Sequence, residues 1–261
     1  MNYLKSEFYK LFHSKLFWGI PVLFAIVFIT LTQTHSGIYV MFSAWGENSL
    51  GFYAFVQSNG DTFIFTDLEK TLFFSSWCLW IISLIFSVSY FQRDFKDGTI
   101  KLAYMHGIKS STIFISKLLT FLTYFYFCYT LFHTAAFFYI QHYMKISIAP
   151  EEWGKLLKTF LLVLLILTAF SISCIFTSIV INNTLIASTL LCVATFISGY
   201  LMMANWTPDK TMPILYWFSP MFYLMRISNL QITSDVIIYF LFNIIILLPC
   251  SVFLQKKVLL K

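Results

Sequence analysis

The sequence predicts an all-α membrane protein with six transmembrane helices, and three observations carry that expectation. First, 59% of the 261 residues are hydrophobic and only 11% are charged, a composition foreign to a water-soluble domain. Second, the apolar residues fall in long uncharged blocks: 22 residues over 71–92, 27 over 118–144 and 50 over 159–208. About 20 apolar residues suffice to cross the hydrocarbon layer, so the longest block holds two crossings. Third, the charges sit at the ends of these blocks with a sidedness that fixes orientation. Eleven cations against three acids fall on one side and six cations against eight acids on the other, which places both termini in the cytoplasm. The net charge of +6 is thus explained by membrane orientation, without a nucleic-acid partner.

In chain order, residues 1–15 place Tyr3, Leu4, Phe8, Leu11 and Phe12 at helical spacing against Lys5, Glu7, Lys10 and Lys15. This reads as an amphipathic helix lying in the inner interface, anchored by Lys5, Lys10, Lys15 and the headgroup-depth Trp18. Span one follows over about residues 16–33, with Pro21 in its first turns. The first apolar block shows no cleavage site of a signal peptide and is expected to be a permanent span.

Residues 37–70 form an aromatic external loop, expected to lie on the outer leaflet or pack on the spans. Thr66 and Glu69 have capping-box spacing ahead of span two, about residues 71–90. Trp77 and Trp80 share a helical face there and are candidates for a substrate path, although lipid or helix contact explains them as well.

Residues 92–111 are the one long polar stretch between two apolar blocks. Asp97-Gly98 supplies a turn, Thr99 can cap a short cytoplasmic helix through Ile100, Leu102, Ala103 and Met105, and Gly107 ends it. Span three, about residues 112–139, carries His133, read as the only ionisable side chain within a span. A neutral imidazole bonded to a Ser, Thr or Tyr neighbour and a proton relay both remain open for it.

Pro150-Glu151-Glu152 is a helix start, with proline in the first turn and acids at the positive end of the dipole. Asn182-Asn183-Thr184 divides the longest block into spans four and five with a tight cytoplasmic turn. Ser173 with Thr177, and Thr195 with Gly199, offer close-packing faces. Residues 205–234 contain Pro213 and Pro220 within an apolar run too short to span, which predicts two short re-entrant helices in the outer leaflet. The last span covers about residues 235–254 and ends at Lys256 and Lys257. The five cysteines lie in apolar blocks without metal-ligand spacing and read as packing residues.

No P-loop, HExxH or GxSxG motif occurs, so no enzymatic chemistry or bound metal is expected of this chain. Free energy for any transport would have to come from elsewhere.

Taken in order, these pieces resemble the type-2 ABC exporter permeases, six-span subunits that work with a separate ATPase. The matching features are an elbow helix over Tyr3 to Lys15, then Asp94, Gly98-Thr99-Ile100-Lys101, Gly107-Ile108-Lys109 and Ser116-Lys117, the tight four-to-five turn, and Phe218-Ser219-Pro220 before span six. Asp94 stands where the family more often has Glu, and Lys109 where Arg is common.

The opening KSEFYKLFHSKLFW is similar to permeases of lantibiotic immunity and amphipathic-peptide export. The resemblance implies a single permease domain over residues 1–261 in a bacterial plasma membrane, paired with a second permease copy or paralogue. It implies cytosolic ABC ATPase subunits that bind ATP and Mg and grip Asp94, Asp97, Gly98, Thr99, Lys101, Gly107 and Lys109 of a coupling helix. Its cargo would be an amphipathic peptide, or alternatively a lipid-like molecule, moving along a path drawn from Trp77, Trp80, His133 and Pro220. A small-solute channel or secondary carrier is the alternative from another class.

Overall fold

The computed structural model of the chain describes residues 2–33, 65–144, 150–204, 223 and 234–259. Among these residues the secondary structure is entirely helical. The elements are α1 (Asn2–Phe12), α2 (Lys15–Gln33), α3 (Phe65–Lys96), α4 (Thr99–Met105), α5 (Ser110–Met144), α6 (Pro150–Ile181), α7 (Thr184–Ala204), α8 (Ser234–Phe242), a π-helical turn (Asn243–Leu247) and α9 (Leu248–Leu259).

Among the described residues, three stretches are long and apolar enough to cross a membrane: Ser110–Ala135, Phe160–Ile181 and Val236–Lys257, the last two with a mean hydropathy of 2.6. Shorter apolar stretches lie in α2 (Phe17–Ile26) and α7 (Thr184–Thr195).

The helix boundaries follow from local chemistry. Ser14 separates α1 from α2: its hydroxyl donates to the Leu11 carbonyl at 2.7 Å and accepts from the Phe17 amide at 3.3 Å, capping the second helix. Pro21 lies inside α2, which begins at Lys15, one residue before the sequence reading starts it, and its missing N–H leaves the Phe17 carbonyl without a helical donor. The Tyr124 hydroxyl on α5 donates to that carbonyl, and the Phe17 and Tyr124 rings stack at 4.9 Å. Gly19 brings α2 close to α3, since a Cβ there would stand 3.1 Å from the Phe86 ring.

The α6–α7 hairpin turns in two residues, as the Asn-Asn pair predicts. Asn182 takes a left-handed φ of 51°, and the Asn183 side-chain oxygen accepts from the Leu185 and Ile186 amides at 3.0 and 3.2 Å. Pro150 is the first residue of α6, where its missing N–H costs nothing.

The core lies where α3 packs along α6, flanked by α2, α5 and α7. Leu84, Val88, Phe121, Ile166, Phe170 and Ile175 are buried there. Two serines join α3 to α6 inside it, Ser83 Oγ and Ser171 Oγ lying 2.7 Å apart. Gln92 also donates to the Ser178 carbonyl across this interface.

Several expectations are corrected. Residues 65–70 belong to α3 rather than to an external loop, and Thr66 lies inside that helix, so it does not open it as an N-cap. Residues 92–96 likewise continue α3, which shortens the polar loop. Glu7 does not face solvent with the lysines of α1: it is 0% exposed and shares the packed face with Leu11, while Tyr9 and Phe12 point outward. Lys117, like His133, is a buried ionisable side chain within the Ser110–Ala135 stretch. Cys128 and Cys174 are buried, but Cys250 is exposed on α9 and packs no core. The aromatic loop over 37–64, the re-entrant segment with Pro213 and Pro220, the Lys145 link and the side chain of Trp77 lie outside the described residues.

Candidate functional site

The polar hinge between α3 and α5 is built from backbone turns that only a few residues allow. Gly98 has φ 68° and Gly107 has φ 82°, the left-handed region that costs a side-chain-bearing residue about 1–2 kcal/mol. No other atom lies within 4 Å of where a Cβ would stand at either glycine, so the backbone angle and not space requires them.

Gly98 is the N-cap of α4, and no side chain caps that helix. Thr99, expected as the cap, is instead its first residue and donates its hydroxyl to the Asp94 carbonyl at 3.4 Å. Gly107 closes α4 with a Schellman pair: its amide donates to the Tyr104 carbonyl at 3.0 Å and the Ile108 amide to the Ala103 carbonyl at 3.2 Å.

One face of α4 is fixed and the other is free. Ile100 is buried against Ile113 of α5, with Tyr3 of α1, Phe95, Ala103, Tyr104 and Ile108 around them. On the opposite face Leu102 is 55% and Met105 72% exposed, and Lys101, His106 and Lys109 are exposed beside them. Asp97 is also at the surface, 3.6 Å from Arg93, a pair too exposed to contribute much. Of the seven residues expected at a partner contact, Asp97, Lys101 and Lys109 therefore present side chains outward, while Gly98, Thr99 and Gly107 shape the turn.

Asp94 does neither. Its carboxylate points into the bundle and accepts a hydrogen bond from Lys117 Nζ at 2.5 Å, with the Lys117 side chain 1% exposed. Burial pushes the Asp94 carboxyl up, but the charge and hydrogen bond of Lys117 outweigh it and hold the group below its ordinary range. The ammonium also lies 4.8 Å from the Tyr90 ring centre and 5.5 Å from that of Phe91.

A second buried carboxylate sits next to this pair. Glu7 of α1 accepts from Lys10 Nζ at 2.8 Å and from the Tyr90 hydroxyl at 3.3 Å. Burial, with Glu7 and Asp94 nearby, raises the Tyr3 phenol well above its usual value. Two acids and two lysines thus lie around Tyr90 where α1, α3 and α5 meet. Sequence reasoning misses the Glu7–Tyr90 bond and the Asp94–Lys117 pairing. The signal was present for Glu7, since Tyr3, Glu7 and Leu11 recur every four residues and share one helical face.

The candidate path residues are core residues where they are described. Trp80 is buried with its ring edge-on to Phe170 at 6.1 Å. His133 is buried among Tyr129, Phe132 and Phe160, its Nδ1 2.9 Å from the Tyr129 carbonyl, which makes that nitrogen a donor to backbone. Of the interface anchors, Lys5, Lys15 and Trp18 are exposed and Lys10 is half-buried against Glu7. Among the described residues, no group of three His, Cys, Asp or Glu side chains is placed to hold a metal ion.

The architecture defines a class: among the described residues, an all-helical protein with helices long and apolar enough to cross a membrane. No protein-family model and no curated protein matches the sequence.

Proposed function

We propose that the chain is the membrane subunit of an ATP-driven exporter of the type-2 ABC class, resident in a bacterial plasma membrane. In this reading α2, α3, α5, α6, α7 and the α8–α9 helix are six spans and both termini are cytoplasmic. Helix α1 is an interfacial elbow, α4 is the coupling helix, and residues 205–234 are the external re-entrant segment. A second copy or a paralogue completes the pathway, and the cargo is an amphipathic peptide or a lipid-like molecule.

The observation that carries the proposal is α4 itself. It is a seven-residue helix held by glycine turns between two long helices, with Lys101, Leu102 and Met105 exposed on it and His106 and Lys109 exposed in the turn that follows. An isolated helix this short is not stable, so its shape is imposed by the bundle. Exposed Leu102 and Met105, with exposed Lys101, His106 and Lys109 close by in the chain, suit a groove on a cytosolic partner. Force applied there would pass to α3 and α5 through Ile100 against Ile113 and through the buried Asp94–Lys117 pair.

The test is retention of a P-loop ATPase encoded beside this gene when the permease is purified from its own host. Leu102→Asp with Met105→Asp should abolish retention while the permease keeps its elution profile and melting temperature. Lys101→Cys should react with an impermeant thiol reagent only from the cytoplasmic side. Absence of any ATPase, or labelling of position 101 from outside, refutes the proposal.

A further inference from the structure

The last spanning helix contains the one π-helical turn among the described residues, Asn243–Leu247, where the Leu248 amide reaches back five residues to the Asn243 carbonyl. A π turn is an α-helix with one extra residue, and such turns recur at functional sites. Its effect on α9 is a change of face. Each residue beyond it takes the angular place that its predecessor would hold in a continuous α-helix, a rotation of about 100°.

That shift decides what meets the bundle. With the π turn present, the seam facing inward is Tyr239, Asn243, Leu247, Ser251 and Gln255, of which Asn243, Ser251 and Gln255 are 1% exposed or less. Ile246 and Cys250 are exposed and Leu254 is half-buried. With the turn absorbed into α-helix, Ile246, Cys250 and Leu254 would take the inward places and the polar residues would turn away. The same helix therefore offers a polar seam in one register and an apolar seam in the other.

Two residues hold the polar register. Asn243 Nδ2 donates to the Tyr239 carbonyl at 2.8 Å, and Asn243 Oδ1 accepts from Ser173 of α6 at 2.5 Å. Pro249 lacks an N–H, and its ring collides with the carbonyl four residues back in α geometry, which is that of Ile245 inside the π turn. Against these, Gln255 Nε2 is buried without a hydrogen-bond partner among the described residues, a cost that the apolar register removes.

We infer that the π turn is a register switch: α9 turns by one residue against α6 between a polar and an apolar seam, with Asn243 and Pro249 as its latch. This inference holds whatever the chain transports.

The experiment compares the reaction of two thiols with a small maleimide in detergent micelles, in full-length protein whose Cys78, Cys128, Cys174 and Cys192 are replaced by alanine. One protein keeps Cys250, and the other carries Ser251→Cys with Cys250→Ala. In the native sequence position 250 should react and position 251 should be protected. Asn243→Leu, and separately Pro249→Ala, should reverse that order, and deletion of Ile245 in either background should restore it, because one residue fewer returns Ser251 and Gln255 to the seam without a π turn. Reversal in at least one variant, undone by the deletion, establishes the switch. An unchanged order in both variants, or fast reaction of both thiols in both, overturns it.

Discussion

Replacing Lys117 by methionine removes the counter-charge of Asp94 while keeping most of the side chain's volume. The Asp94 carboxylate is 12% exposed and its ion-pair partner, 2.5 Å away, would be gone. Breaking a buried pair from one side costs about 3–5 kcal/mol, because the remaining charge stays desolvated. At about 2–4 °C per kcal/mol for a chain of this size, the melting temperature should fall on the order of 10 °C.

Asp94→Asn combined with Lys117→Met removes both charges and should recover most of that loss. The pH dependence follows from the depressed Asp94 carboxyl. A carboxyl whose folded value lies below its unfolded one contributes stability above the unfolded value, about 3.9, and loses it as pH falls through the folded value. The native protein should therefore exceed Asp94→Asn by a constant margin from about pH 7 to pH 5, and the margin should shrink below about pH 4. Thermal unfolding in detergent, followed by tryptophan fluorescence, measures all four proteins. A Lys117→Met protein as stable as the native one, or a double variant no better than the singles, refutes the reasoning.

Two further outcomes follow from the same geometry. Gly98→Ala and Gly107→Ala should each cost about 1–2 kcal/mol from backbone strain alone, read as faster amide exchange across α4 with α6 and α7 unchanged. Tyr124→Phe leaves the Phe17 carbonyl above Pro21 without its donor and should cost about 1–3 kcal/mol in the same melting assay, whereas Tyr126→Phe leaves Thr168 its own bond to the Leu164 carbonyl and should cost less.

The parts of the fold legible in the sequence are those where one residue type decides the backbone. Asn182-Asn183 marks the α6–α7 turn because asparagine tolerates a left-handed φ and caps the next helix, and both occur. Gly98 and Gly107 bracket α4 for the same reason. The site was legible only on its surface. Spans show in the sequence as runs without charge, so Lys117 marks the edge of a run there, and nothing in the pattern pairs it with an acid 23 residues earlier. Asn243, being uncharged, did not interrupt its run at all, and a π turn has no sequence signature to announce it. The start of α3 at Phe65 escaped because Thr66 and Glu69 fit a cap better than they fit a helix interior.

The first helix carries a consequence of its own. With Glu7 sunk against Tyr90 and Tyr3 resting on Ile100 and Ile113, α1 is wedged into the joint rather than floating beside it. Tilting α3 must drag it along, and a chain shortened to begin at Lys15 would strip the Tyr90 hydroxyl of that acceptor and wet the underside of α4. An amino-terminal tag fused without a spacer would load the joint directly, so a purification handle belongs at the other end.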